Sequence, residues 1–146
     1  MASLYEADFY AWANQQASLL RAGKLSAADI QNIAEEIESM GKSEKRELVS
    51  RLTILLLHLL KWQFQPGLRG DSWRYTIKLQ RRDLARHLAD NPSLTAQLSM
   101  VLADAHVSAV LSAAGETGLP EAIFPEVCPW SYQQVADPDF WPDAAH

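Results

Sequence analysis

Apolar residues recur at helical spacing along most of the chain, and no stretch shows the alternation that a half-buried strand requires. Ser3 and Glu6 form a capping box, Tyr5, Phe9, Trp12 and Leu19 fall on one face, and Gly23 supplies a stop. A first helix is predicted over about 4–22. Ser26 and Asp29 form a second box, with Leu25 placed to staple onto Ile30. Ile30, Ile33, Ile37 and Met40 then make a stripe expected to be buried, and Gly41 reads as the end of that helix. A third helix is predicted from near Ser43 to Phe64. It is amphipathic at Leu48 and Leu52 and then apolar all round, the mark of a central helix.

Pro66 and Gly67 close this segment, and Asp71 or Ser72 opens a fourth helix. Its Trp73, Ile77, Leu84 and Leu88 lie within an arc of about 60°. Asn91 and Pro92 read as cap and first position of a fifth, with Leu94, Leu98, Val101 and Ala105 on its face, fading near Gly115. Beyond it the character changes. Five of the seven prolines stand at 120, 125, 129, 138 and 142, interleaved with Phe124, Trp130, Tyr132, Phe140 and Trp141. That is too aromatic for a disordered tail. The expectation is one all-α domain over 1–146. Residues 1–115 form an antiparallel helical bundle of four to five helices, and 116–146 an irregular strap packed on it, with a short helix near Ser131–Val135.

Charge adds an asymmetry. The net charge of −5 divides into −2 over residues 1–60, +4 over 61–90 and −7 over 91–146, where no Lys or Arg occurs. Such blocks suggest a basic face paired with an acidic tail, or two interaction surfaces. Cys128 is the sole cysteine, which excludes an internal disulfide and a cysteine-based metal site within one chain. The start of the chain lacks a basic segment followed by an apolar run, and the leucine-rich stretch from Leu52 is shorter than the roughly 20 residues of a membrane span. The expectation is a cytoplasmic protein with no membrane association.

The segments DFYAW, LLRAGKLSAADIQNIAEEIESMGKSEKREL, LLLHLLKWQFQP, DSWRYTI, NPSL, ETGLP and CPW occur in this order. As a set they resemble the bacterial domain-of-unknown-function family number 29 over nearly the whole chain. The resemblance implies a small all-α protein of bacteria and carries no activity with it. His106 stands where the family pattern leads one to expect tyrosine.

Familiar chemistry is missing. Gly41–Ser43 reads GKS, but a P-loop would need glycine where Glu36 stands and a preceding strand. No HExxH, GxSxG or GxGxxG occurs. Ser39-x-x-Lys42 is too short a pattern to carry a nucleophile. Leu55, Leu84 and Ala103 precede His58, His87 and His106 by three, which excludes a di-iron bundle built on Glu-x-x-His.

Four places remain. His58 sits among leucines and reads as a core histidine bonded to a neighbour. In an up-down bundle it would share a level with Asp29, Lys78 and Asp104–His106, so a metal site there is thinkable. Glu35, Glu36 and Glu38 read as a salt-bridged hairpin with Arg46, Lys42 and Lys45, or as a divalent-ion site at Glu35 and Glu38. Arg74, Tyr75, Lys78, Leu79, Arg81, Arg82 and Arg86 put cations among aromatic and aliphatic groups, the composition that interface cores favour. Gln65–Arg74 brings Arg69 to a helix start, where Asp71 would repel an anion.

The expected function is a non-enzymatic protein-interaction or regulatory module using the fourth-helix face, with a protein partner or a second copy and no cofactor. The alternative is a metal- or small-ligand-binding bundle, with hydrolase activity as one form. A third is nucleic-acid binding, which the overall acidity disfavours.

Overall fold

The chain was analysed as a computed structural model that describes residues 3–144. It contains helices α1 (Leu4–Ala7), α2 (Phe9–Arg21), α3 (Ile30–Phe64), α4 (Asp71–Asp90), α5 (Leu98–Thr117) and α6 (Tyr132–Ala136), with short 3-10 turns between them. No strand occurs among the described residues. The all-α class therefore holds. Where one domain was expected, the contacts divide the chain into two compact units, 1–43 and 44–146.

Three predicted boundaries move. The first helix breaks at Asp8, whose side chain accepts from the Ala11 N–H and caps α2. Ser26 lies in a 3-10 turn, and Asp29 is the residue that caps α3, accepting from the Asn32 N–H at 3.4 Å. Most consequential is Gly41. The expected stop does not exist, and α3 runs on for 35 residues. A glycine ends a helix by taking positive φ. Gly23 and Gly118 do so at 72° and 76°, whereas Gly41 does not. The following Lys42–Glu47 run is rich in good helix formers, which offset the roughly 1 kcal/mol that one internal glycine costs. Nothing lies within 4 Å of a Cβ added at Gly41. Gly41→Ala is therefore expected to raise stability by about 0.5–1 kcal/mol in urea unfolding. A loss would restore the turn.

In the second unit, Leu48, Leu52, Leu55, Leu56, Leu59 and Leu60 of α3 are fully buried. They form one cluster with Ile77 and Leu84 of α4, Val101, Ala105 and Ala109 of α5, and Val135 of α6. Polar pairs give the directions. Arg51 bonds Asp83 at 3.3 Å and His87 bonds Glu47 at 2.5 Å, so the start of this part of α3 faces the end of α4, antiparallel. Lys61 reaches Glu116 at 3.1 Å, so late α3 meets late α5 and the two run the same way. The segment Pro92–Thr117 is long and apolar enough to cross a membrane by length and composition. Its Leu98, Val101 and Ala105 are buried, while Met100, Val107 and Leu111 are exposed.

The strap is ordered by polar pins on an apolar bed. Ser131 and Gln134 form a full capping box for α6, close to the short helix expected there. Trp141 stacks at 4.7 Å on Trp62, and Phe124 at 5.0 Å on Phe64. His106, 2% exposed, places Nε2 2.8 Å from the Pro125 carbonyl, and Arg69 Nη2 donates to the Pro142 carbonyl at 3.3 Å.

Candidate functional site

The α4 face expected to meet a partner is divided by the structure. Arg81 is only 4% exposed. Its Nε donates to the Val135 carbonyl at 2.8 Å, Nη1 to that of Pro138 at 3.5 Å and Nη2 to that of Phe140 at 2.6 Å, and the guanidinium lies over Trp141. Arg81 is thus a clamp for the strap and is removed from the surface set. Sequence periodicity could not tell it from Arg82, because both sit on the polar side of the helix; only the strap decides which is covered. Arg74 is engaged by Asp71 at 2.6 Å. Tyr75, Lys78, Leu79, Arg82 and Arg86 are exposed. The strap meets α4 here through backbone carbonyls and does not cover those cations with its acids.

His58 is half-buried, and its Nδ1 lies 2.8 Å from the Ile54 carbonyl one turn earlier. The ring makes a local bond to its own helix and lies outside the set of buried core residues. Desolvation pulls its pKa below the usual 6.5, and Lys61 adds to the effect against the opposing Ile54 carbonyl and Glu116. The unfolded chain thus binds the proton more readily than the folded one. As pH falls through about 6.5, the native protein is expected to lose stability relative to His58→Leu. Matched urea curves at pH 7.5 and pH 5.5 check this. A native protein that gains stability relative to His58→Leu at the lower pH would contradict it.

The acid cluster does not form a hairpin. Glu38 and Arg46 are two turns apart on one helix, about 12 Å along its axis, so the expected cross-hairpin pairing is absent. Glu35 and Glu38 are exposed, and Glu36 accepts from the Tyr5 hydroxyl. Among the described residues the one group of three metal-capable side chains lies elsewhere, at Glu44, Glu47 and His87.

The first unit holds together by a polar seam. Besides Tyr5 and Glu36, the Trp12 indole donates to Asp29 at 3.1 Å, and the Gln16 carbonyl accepts the Asp29 N–H at 2.7 Å. Glu36 raises the Tyr5 phenol to about 12. The Asn32 amide, with help from Trp12, lowers the Asp29 carboxyl against its desolvation. Trp12 and Gln16 are the only buried residues described in this unit.

The apolar side chains of this unit are largely left outside. Among the described residues, only Trp12 of the twenty-one buried hydrophobic side chains belongs to it, against eight of the seventeen exposed large ones. The eight are Leu4, Phe9, Tyr10, Leu20, Leu25, Ile30, Ile37 and Met40. The stripe Ile30, Ile33, Ile37 and Met40 was expected in the core. Ile30, Ile37 and Met40 are 53%, 62% and 66% exposed, and only Ile33 is half-buried. Leu25 and Ile30 are both exposed and make no staple that removes them from water. At 3.6 residues per turn, Ile30, Ile37, Leu48 and Leu55 fall within about 20° of one line along α3. One helix face is therefore in the core at Leu48 and Leu55 and in solvent at Ile30 and Ile37. Sequence reasoning saw the stripe and supplied a cover for it. The missing signal was the absence of a positive-φ stop at Gly41.

The family model for Domain of unknown function DUF29 matches residues 4–141. No curated protein and no solved structure matches the chain.

Proposed function

We propose that this chain, which belongs to the DUF29 family, is a non-enzymatic interaction module that assembles with a second copy of itself through the first unit. The observation carrying this reading is the α3 stripe, a helix face that is core in one half and wet in the other. A soluble helix buries such a face against something. Eight exposed large apolar side chains of this unit are available to such a contact.

One feature favours a second copy. A stripe at positions 30, 33, 37 and 40 suits a two-fold packing of like helices. The α4 face is the lesser surface, because Tyr75 and Leu79 are its only exposed large apolar groups. Mass action supplies the test. The melting temperature is expected to rise as the protein is concentrated from about 1 to 100 μM. A melting temperature independent of concentration would set the second copy aside.

A further inference from the structure

We infer that Glu44, Glu47 and His87 form a binding site for a divalent transition-metal ion of the zinc type. Their ligand atoms all lie within 4.8 Å of one another, and all three residues belong to the second unit. His87 is 6% exposed, so its ring is held in place by packing. Its Nε2 lies 2.8 Å from the backbone carbonyl of Glu44, which can only accept. Nε2 therefore carries a hydrogen, and Nδ1 is left to face the two carboxylates. An imidazole that donates one N–H to a backbone carbonyl and points its other nitrogen outward is the arrangement that orients metal-binding histidines.

The spacing fits such an ion. Nδ1 is 2.5 Å from Glu47 Oε2 and 3.7 Å from Glu44 Oε2. Bonds of 2.0–2.2 Å at the tetrahedral angle separate neighbouring ligands by about 3.4 Å, a value between these two. Both glutamates are half-exposed at their side chains and free to adjust by that amount.

Each carboxylate already has an orienting partner. Arg51 holds the other oxygen of Glu47 at 3.3 Å, and Asn91 reaches Glu44 Oε2 at 3.4 Å. Arg51, Arg82, Arg86, Asp83 and Asp90 complete the lining of a cleft of about 370 Å³ around Glu47 and His87. Asp83 takes up two of its three cations, Arg51 at 3.3 Å and Arg82 at 3.4 Å, and Asp90 stands in the same lining as Arg86. Water would fill the fourth position. The ion would tie α3 to α4 beside the polar run at Lys42–Glu47. No local motif announces the site, since His87 stands forty positions after Glu47.

The test uses the full chain, stripped with chelator and titrated with zinc alone by calorimetry. One ion per chain is expected, with a rise in melting temperature on the order of 5 °C at saturation. Glu47→Gln should weaken binding at least tenfold, and His87→Ala should abolish it. Because His87 is buried and its loss removes a packed side chain, Glu44→Gln serves as a second surface variant with the same expected direction. Absence of binding up to about 100 μM zinc, or binding unchanged in both glutamine variants, overturns the assignment.

Discussion

Replacing Arg81 by alanine is expected to cost about 3–5 kcal/mol and to release the strap. Three backbone carbonyls from residues 135–140 converge on this one guanidinium at 2.6–3.5 Å, and no other side chain donates to them among the described residues. Burial pulls the Arg81 pKa below the usual guanidinium value, against the favourable field of Asp137, so the cation is held at some cost and repaid by those bonds. Removing it leaves polar carbonyls facing Trp141 with no donor. Arg82, one residue on and exposed, is the control, and its alanine variant should change stability by no more than about 0.5 kcal/mol. Urea unfolding measures both. Chymotrypsin reports the strap, because residues 91–146 hold aromatic residues but no Lys or Arg for trypsin to cut. Faster cleavage near Trp130 or Phe140 is expected in Arg81→Ala alone. Equal stability of the two variants would make the clamp incidental.

The Arg81 result bears on how far a sequence alone can be read. The second unit was legible, because its elements are fixed by local rules that tertiary packing then obeys. Leu48, Leu52, Ile77, Leu84, Leu98, Val101 and Ala105 were placed on core faces by period alone, and all are buried. The short helix of the strap, expected near Ser131–Val135, stands at Tyr132–Ala136. What failed did so for non-local reasons. Gly41 has the composition of a stop but not its backbone angle, and nothing in the flanking residues says which. Arg81 and Arg82 differ only in what covers them. Glu44, Glu47 and His87 meet only after α4 folds back along α3. The expected burial of Ile30, Ile37 and Met40 failed for the same cause as the helix boundary. A turn at Gly41 would have folded Ile30, Ile37 and Met40 inward.

Ile37→Glu is the second substitution with a large expected effect, and its effect falls on association. Ile37 is 62% exposed at the middle of the stripe, so a charge there is solvated in the single chain. The stability of the separate chain should move by no more than about 0.5 kcal/mol, and helicity should not fall. In a paired state the same charge would sit at the centre of an apolar contact. Loss of a central anchor costs about 2 kcal/mol or more, a weakening of at least thirtyfold in the dimer constant. Tyr75→Glu on α4 carries an equally exposed large side chain outside the stripe and should leave pairing as it is. If Tyr75→Glu weakens association and Ile37→Glu does not, the contact belongs to α4.

Sedimentation equilibrium of the unmodified chain across a range from about 1 to 100 μM, beside Ile37→Glu, tests the N-terminal stripe as a self-association surface most directly. The expected result is a weight-average mass climbing toward twice 16.3 kDa in the first protein and remaining near 16.3 kDa in the variant. A mass of one chain at every concentration, or an equal rise in both proteins, would contradict it.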